Sequence, residues 1–244
     1  MKDKIARYSK ELRLGRVIEN NYQDIQAETH EKFLVELLEI MLSVRRTNRR
    51  NRLLKQAKFD IVKTFQNYSF GDVNLPQNIT VENIKEGTFI DHKENLILYG
   101  PTGRGKTHLA TAIGVNACNR GKKVRFWRTG HLVNQLIQAK KEGRANLILD
   151  KIRKLDLLIC DEWGYIPIDT QGTRLLFEVI AECYEKRSVI ITTNIEFGNW
   201  NNIFYDEKIT TAIIDRIVHH GHLIMHTAET SYRLENSMIR QQKK

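Results

Sequence analysis

Residues 96–114 read LILYGPTGRGKTHLATAIG, and the order of residue types in this stretch decides the fold. Leu96–Tyr99 is an apolar run of strand length. It is followed at once by Gly100–Thr107, GPTGRGKT, which fits the pattern GxxxxGK[ST], and then by Leu109, Ala110, Ala112 and Ile113 at helical spacing. Strand, glycine-rich loop and helix in that order form a cradle for a polyphosphate. Backbone N–H groups approach the phosphate oxygens closely, and Gly100, Gly103 and Gly105 permit the backbone angles this requires. The helix N-terminus adds a partial positive charge. The expected nucleotide-binding residues are therefore Gly100, Pro101, Thr102, Gly103, Arg104, Gly105, Lys106, Thr107 and His108. Lys106 is expected to reach the β and γ phosphates, with the Thr107 hydroxyl on Mg²⁺. ATP and Mg²⁺ are the expected ligands.

Downstream, short β-rich runs alternate with longer helical stretches: Val124–Trp127, Leu157–Cys160, Val189–Thr192 and Leu223–His226. Together with Leu96–Tyr99 they predict an α/β P-loop domain, a five-stranded parallel sheet covered by helices on both faces. Strands buried on both sides read as continuous apolar runs, as LILY, LLIC and VIIT do. The run LLICDE, Leu157–Glu162, ends in two carboxylates at the strand end where open α/β sheets bind ligands. Asp161 is placed to hold the Mg²⁺ shell, and Glu162 to polarise the attacking water. Asn194, after the run Val189–Thr192, is a candidate to orient that water through its amide. The linker aromatics Tyr68 and Phe70 are candidate walls for the base.

Toward the N-terminus the character changes. Up to about residue 66 there is no proline, and apolar residues recur at helical spacing from Phe33 to Leu42 and again from Leu53 to Ile61. We expect a helical domain over residues 1–66, with one long helix or two joined helices over Glu31–Lys63. A linker rich in turn residues follows over 67–77, and the ATPase domain over 78–244. Between Arg45 and Lys58 stand seven basic residues and no acid: Arg45, Arg46, Arg49, Arg50, Arg52, Lys55 and Lys58. Such a run neutralises phosphates without reading bases, and its lack of aromatic residues favours double-stranded DNA over single strands, while the net charge of +10 fits a polyanionic partner without choosing between nucleic acid and anionic lipid. Lys122, Lys123 and Arg125 form a smaller candidate DNA patch. No apolar run approaches the roughly 20 residues needed to span a bilayer, and the charged start does not resemble a secretory signal, so no membrane partner and a cytoplasmic location are expected. The three cysteines, Cys118, Cys160 and Cys183, show no CxxC pairing and are expected to be reduced and buried.

Beyond GPTGRGKTHLATAIG, four further stretches carry a resemblance over nearly the whole chain. They are CDEWGYIPID (Cys160–Asp169), RSVIITTNIEFGNW (Arg187–Trp200), AIIDRIVHHGHLI (Ala212–Ile224) and SYRLE (Ser231–Glu235). The sequence resembles the IstB-type AAA+ ATP-binding helpers of insertion-sequence transposition, which are related to DnaC-type helicase loaders. The resemblance implies ATP hydrolysis, a homo-oligomer with ATP at subunit interfaces and a transposase encoded by the same element; the alternative it implies is a replicative helicase loader. It also implies that Arg216 is an arginine finger and Arg233 a second sensor arginine, with little or no helical lid at the C-terminus. Trp163 departs from the pattern, since a smaller apolar residue is expected after the acidic pair. His219, His220, His222 and His226 raise a metal reading, but no thiol or carboxylate cluster accompanies them in the sequence, and the resemblance accounts for HHGH as a helix end and strand start.

Overall fold

A computed structural model of the chain describes residues 1–165 and 167–227. It divides into two compact units, Met1–Arg52 and Leu53–Lys244. The first is helical: α1 (Lys2–Glu11), α2 (Val17–Asn21) and most of α3 (His30–Ala57). α3 is a single helix of 28 residues that stops at Ala57, short of the expected Lys63. It stops because Lys58 turns into the left-handed region, φ 58°. The division falls at Arg52 rather than at residue 66 because Leu53 and Ala57, in the last turns of α3, are buried in the second unit's core.

The second unit contains β1 (Val73–Asn74), α4 (Val81–Glu86), α5 (Thr88–Asp91), β2 (Asn95–Tyr99), α6 (Lys106–Asn119), β3 (Val124–Arg128), α7 (Thr129–Lys141) and α8 (Ala145–Ile152). β4 (Leu157–Asp161), α9 (Thr170–Cys183), β5 (Ser188–Thr193), α10 (Asn201–Phe204), α11 (Glu207–Val218) and β6 (Gly221–His226) follow among its described residues. Among the described residues the sheet has six strands, in the order β1-β6-β2-β5-β4-β3. The five expected strands are its parallel part, so the expected count is corrected by one. The additional strand, β1, lies inside the expected linker and pairs antiparallel with β6, Val73 opposite His226. Two residues are too few to carry a periodicity, and only pairing with β6 makes them a strand.

The apolar runs divide residue by residue between two cores, as the pleat requires. On one face Leu96, Leu98, Leu157, Ile159 and Ile190 pack with α6 and the end of α3. On the other, Ile97, Leu158, Cys160, Val189 and Ile191 pack with α7, α9 and α11. All three cysteines are free and buried, and burial pushes the Cys118 thiol up to about 12. Among the described residues, no helix is long and apolar enough to cross a membrane.

Candidate nucleotide-binding site

β2 delivers the chain into the glycine-rich loop, and α6 begins at Lys106 immediately after it. Gly100, Gly103 and Gly105 all have positive φ, 146°, 82° and 86°. At Gly100 the need is also steric, since a Cβ there would lie 2.5 Å from the carbonyl oxygen of His226 on the neighbouring strand. The Lys106 ammonium donates to the carbonyls of Gly100 at 2.6 Å and Pro101 at 2.7 Å, so it lies folded over the loop it serves.

The expected metal-binding pair is brought together across 54 residues of sequence. Oδ1 of Asp161, at the end of β4, accepts hydrogen bonds from the Thr107 hydroxyl at 2.9 Å and the Thr192 hydroxyl at 2.6 Å. Burial raises the Asp161 carboxyl above the usual carboxylate range, and the two hydroxyl donors pull it back. This all-oxygen donor set suits a hard divalent cation such as Mg²⁺.

Glu162 is exposed and sits at φ 57°, a left-handed conformation that costs a non-glycine residue roughly 1–2 kcal/mol. Two bonds to Thr192 hold it there: the Glu162 N–H donates to the hydroxyl at 3.0 Å, and the Trp163 N–H to the carbonyl at 2.9 Å. The departure at Trp163 has a clear role. Its indole is fully buried, with ring centroids 5.5 Å from Trp200 and 5.7 Å from Phe204. The chain is thus pinned on the core side of the turn, while Glu162 lies on the cleft side.

Together these elements line a cleft of about 400 Å³. Asn194, just beyond β5, is exposed and lines it, as do residues from Thr102 to His108. Ile61 and Lys63 also line the cleft, from the segment after α3, whereas Tyr68 and Phe70 do not. Tyr68 instead packs 5.0 Å from Phe70 and 5.2 Å from His108, centroid to centroid, and its hydroxyl meets His226 Nε2 at 3.0 Å. Burial, reinforced by the nearby Lys106 cation, holds His226 down at about 4. At neutral pH its ring is therefore uncharged and shares a hydrogen bond with the Tyr68 hydroxyl. His108 meets the Thr64 carbonyl at 2.9 Å.

Two further cleft residues escaped the sequence reading. Arg128, at the end of β3, donates from Nε to Asp60 at 2.8 Å, and its Nη1 lies 4.0 Å from Glu162 Oε2. The neighbouring carboxylates hold the Arg128 guanidinium above its ordinary range, Asp60 contributing most. No spacing rule signals Arg128, because its partners lie 68 and 34 positions away along the chain.

Arg216 does not line this cleft. It sits near the end of α11, where Nη1 donates to the Ala212 carbonyl at 2.9 Å and the guanidinium lies 4.9 Å from the Phe177 ring centroid and 5.8 Å from that of Tyr184. Arg233 lies outside the described residues. Arg45, Arg46, Arg49, Arg50, Arg52 and Lys55 are exposed along α3, and Lys58 is exposed just past its end. In the second patch, Lys122 is paired with Asp91, and Arg125 donates to the Gln56 carbonyl at 3.0 Å while lying over the Trp127 ring. Lys123 is exposed.

A glycine-rich loop between the first parallel strand and its helix, facing an Asp-Glu pair at the end of another strand, defines a P-loop nucleotide-binding protein of the AAA+ type. Solved structures share the fold: AMPPCP-bound DnaA from Aquifex aeolicus at TM-score 0.55 and 19% identity, covering 74% of this chain and 55% of that one. The DnaC helicase loader matches at TM-score 0.52 and 18% identity, covering 72% and 98%. The family described as IstB-like ATP binding protein matches residues 9–239, and this chain belongs to it. Among its relatives is a Geobacillus stearothermophilus protein of insertion sequence IS5376 named for ATP binding, 34% identical and covering 100% of this chain and 98% of the relative. An IS21 protein of Pseudomonas aeruginosa, also named for ATP binding, is 38% identical over 75% of this chain and 68% of its own.

Proposed function

We propose that this protein hydrolyses ATP and uses the nucleotide to assemble on duplex DNA in the service of a transposase encoded by the same element. The observation that carries the hydrolytic part is the convergence of Thr107, Asp161 and Glu162 at the carboxyl ends of β2 and β4. Thr107 and Asp161 would hold Mg²⁺, which when bound neutralises charge between the β and γ phosphates. Lys106 exchanges its loop carbonyls for phosphate oxygens, and Glu162 accepts a proton from the attacking water, oriented with help from Asn194. Insertion-sequence relatives support the transposition context.

Arg216 supports the assembly step. Lying outside its own cleft, it is free to complete the site of a neighbouring subunit. Leaving the Phe177 ring forfeits roughly 0.5–1 kcal/mol of cation–π attraction at a surface position. An arginine finger is worth about 10³–10⁵ in rate, or roughly 4–7 kcal/mol of transition-state stabilisation, so the cost of leaving the ring is small beside the rate gained. Arg216→Ala is expected to retain ATP binding while losing ATP-dependent oligomer growth and about 10³-fold in turnover, read by light scattering and phosphate release. Normal turnover in this variant would remove the finger assignment.

The DNA surface we assign is the basic run of α3, where phosphate contacts make binding steeply salt-dependent and nearly sequence-independent. The test of the whole reading is duplex binding and oligomer size measured with ATP, with ADP and with neither. ATP is expected to give the tightest binding and the largest particles; equality of the three states defeats it. The fold shared with a helicase loader supports one rival, in which single strands are preferred. Single-strand binders stack bases on aromatic platforms, and Arg45–Lys58 contains no aromatic residue, which favours duplex. Competition between duplex and single strands of equal length separates the two readings.

A further inference from the structure

We infer that the surface where the C-terminal end of α11 meets the turn between α9 and β5 is a transition-metal site of the zinc class, with His219, His220 and Glu185 as its ligands. One ligand atom from each of the three lies within 4.8 Å of the others. Tetrahedral zinc with bonds of about 2.0–2.2 Å sets its ligand atoms roughly 3.3–3.6 Å apart. His220 Nε2 and Glu185 Oε1 already stand at that separation, 3.5 Å. The remaining adjustment falls on exposed side chains.

Consecutive residues inside a helix diverge around its axis and cannot share a ligand. Here α11 ends at Val218, and the rings of His219 and His220 come to 4.1 Å, centroid to centroid. A bound cation would use a lone pair from each ring. At 3.5 Å the contact of His220 with Glu185 is at the limit of a hydrogen bond.

The cluster also has an orienting shell. The Tyr184 hydroxyl meets His219 Nδ1 at 2.8 Å. With Nδ1–H donated to that oxygen, the Nε2 lone pair is left for the metal, the arrangement by which metal-bound histidines are held in one tautomer. Two imidazoles and a carboxylate select a borderline cation over Mg²⁺ or Ca²⁺, and three protein ligands leave a fourth position for water. Tyr184 also lies under the Arg216 guanidinium. An ion here would clamp the end of α11 to the α9–β5 turn and steady the surface on which Arg216 rests. The metal site stands whether or not Arg216 acts as a finger.

Zinc is titrated calorimetrically into the full chain, and cobalt substitution is followed by absorption. One zinc per chain is expected, with the strong visible bands of tetrahedral Co²⁺. His219→Ala and His220→Ala each should weaken zinc binding by about 100-fold and Glu185→Gln and Tyr184→Phe by about tenfold. His92→Ala and His131→Ala, exposed and outside the cluster, should leave it unchanged. Circular dichroism verifies folding, and the cobalt spectrum of the unmodified chain is independent of any variant. Absence of zinc uptake, absence of the tetrahedral spectrum, or affinity undiminished by His220→Ala and Glu185→Gln would overturn the assignment.

Discussion

Lys106→Ala is expected to weaken ATP binding by several hundredfold while leaving the fold intact. Lys106 is the cation at the N-terminal end of α6, placed to donate charge-assisted hydrogen bonds to two phosphates. Each such bond is worth about 1.5–3 kcal/mol, so losing two costs at least 3 kcal/mol, more than a hundredfold in dissociation constant. Stability should change little. The carbonyls of Gly100 and Pro101 lose their lysine partner, but the truncated side chain lies at the rim of an open cleft, where water replaces the ammonium. Equilibrium titration with a fluorescent ATP analogue, paired with a thermal melt, separates these effects. Binding within threefold of the unmodified protein would mean that the loop does not grip the triphosphate as proposed.

Glu162→Gln should give the opposite signature, with ATP bound normally and turnover reduced by about 10²–10⁴, the range for removal of a general base. The amide matches the carboxylate in size and cannot take the proton from water. Its backbone strain at φ 57° persists, and the ion pair lost with Arg128 is a half-exposed contact at 4.0 Å, worth little. The melting temperature is therefore expected to hold. Glu162→Gly would be inactive as well, but relief of the left-handed strain should stabilise the local turn by about 1 kcal/mol, offset by the extra freedom of glycine in the unfolded chain. Single-turnover phosphate release measures the first effect and calorimetric melting the second. Turnover in Glu162→Gln equal to that of the unmodified protein would exclude the carboxylate as base and leave a scaffold that binds ATP without consuming it.

Much of the site is local and could therefore be read from the chain. Gly100 to Thr107 is contiguous, and its constraints are those of its own backbone. Asp161 and Glu162 were legible because a buried strand, LLIC, stops at two charges. Arg128 and Asp60 carried no such sign. Each is an ordinary surface charge in sequence and joins the cleft only because β3 ends beside β4 and the chain leaving α3 passes the same edge. The base walls illustrate the same limit: Tyr68 and Phe70 have suitable chemistry, but the Tyr68 hydroxyl is held by His226 at the end of β6, and neither residue lines the cleft.

The class of fold, the phosphate-binding loop, the acidic strand end and the helical, basic character of the N-terminal region follow from neighbouring residues acting over one strand or a few helical turns, and so are written along the chain. Tertiary structure alone decided that β1 is a strand, that α3 lends its last turns to the second unit's core, that Thr192 fastens both Asp161 and Glu162, and that Glu185 stands beside His219 and His220. These pairings join positions as much as about 150 residues apart. Their existence depends on how helices and strands stack to bury both faces of the sheet, and hydrophobic periodicity records which face is buried without recording against what.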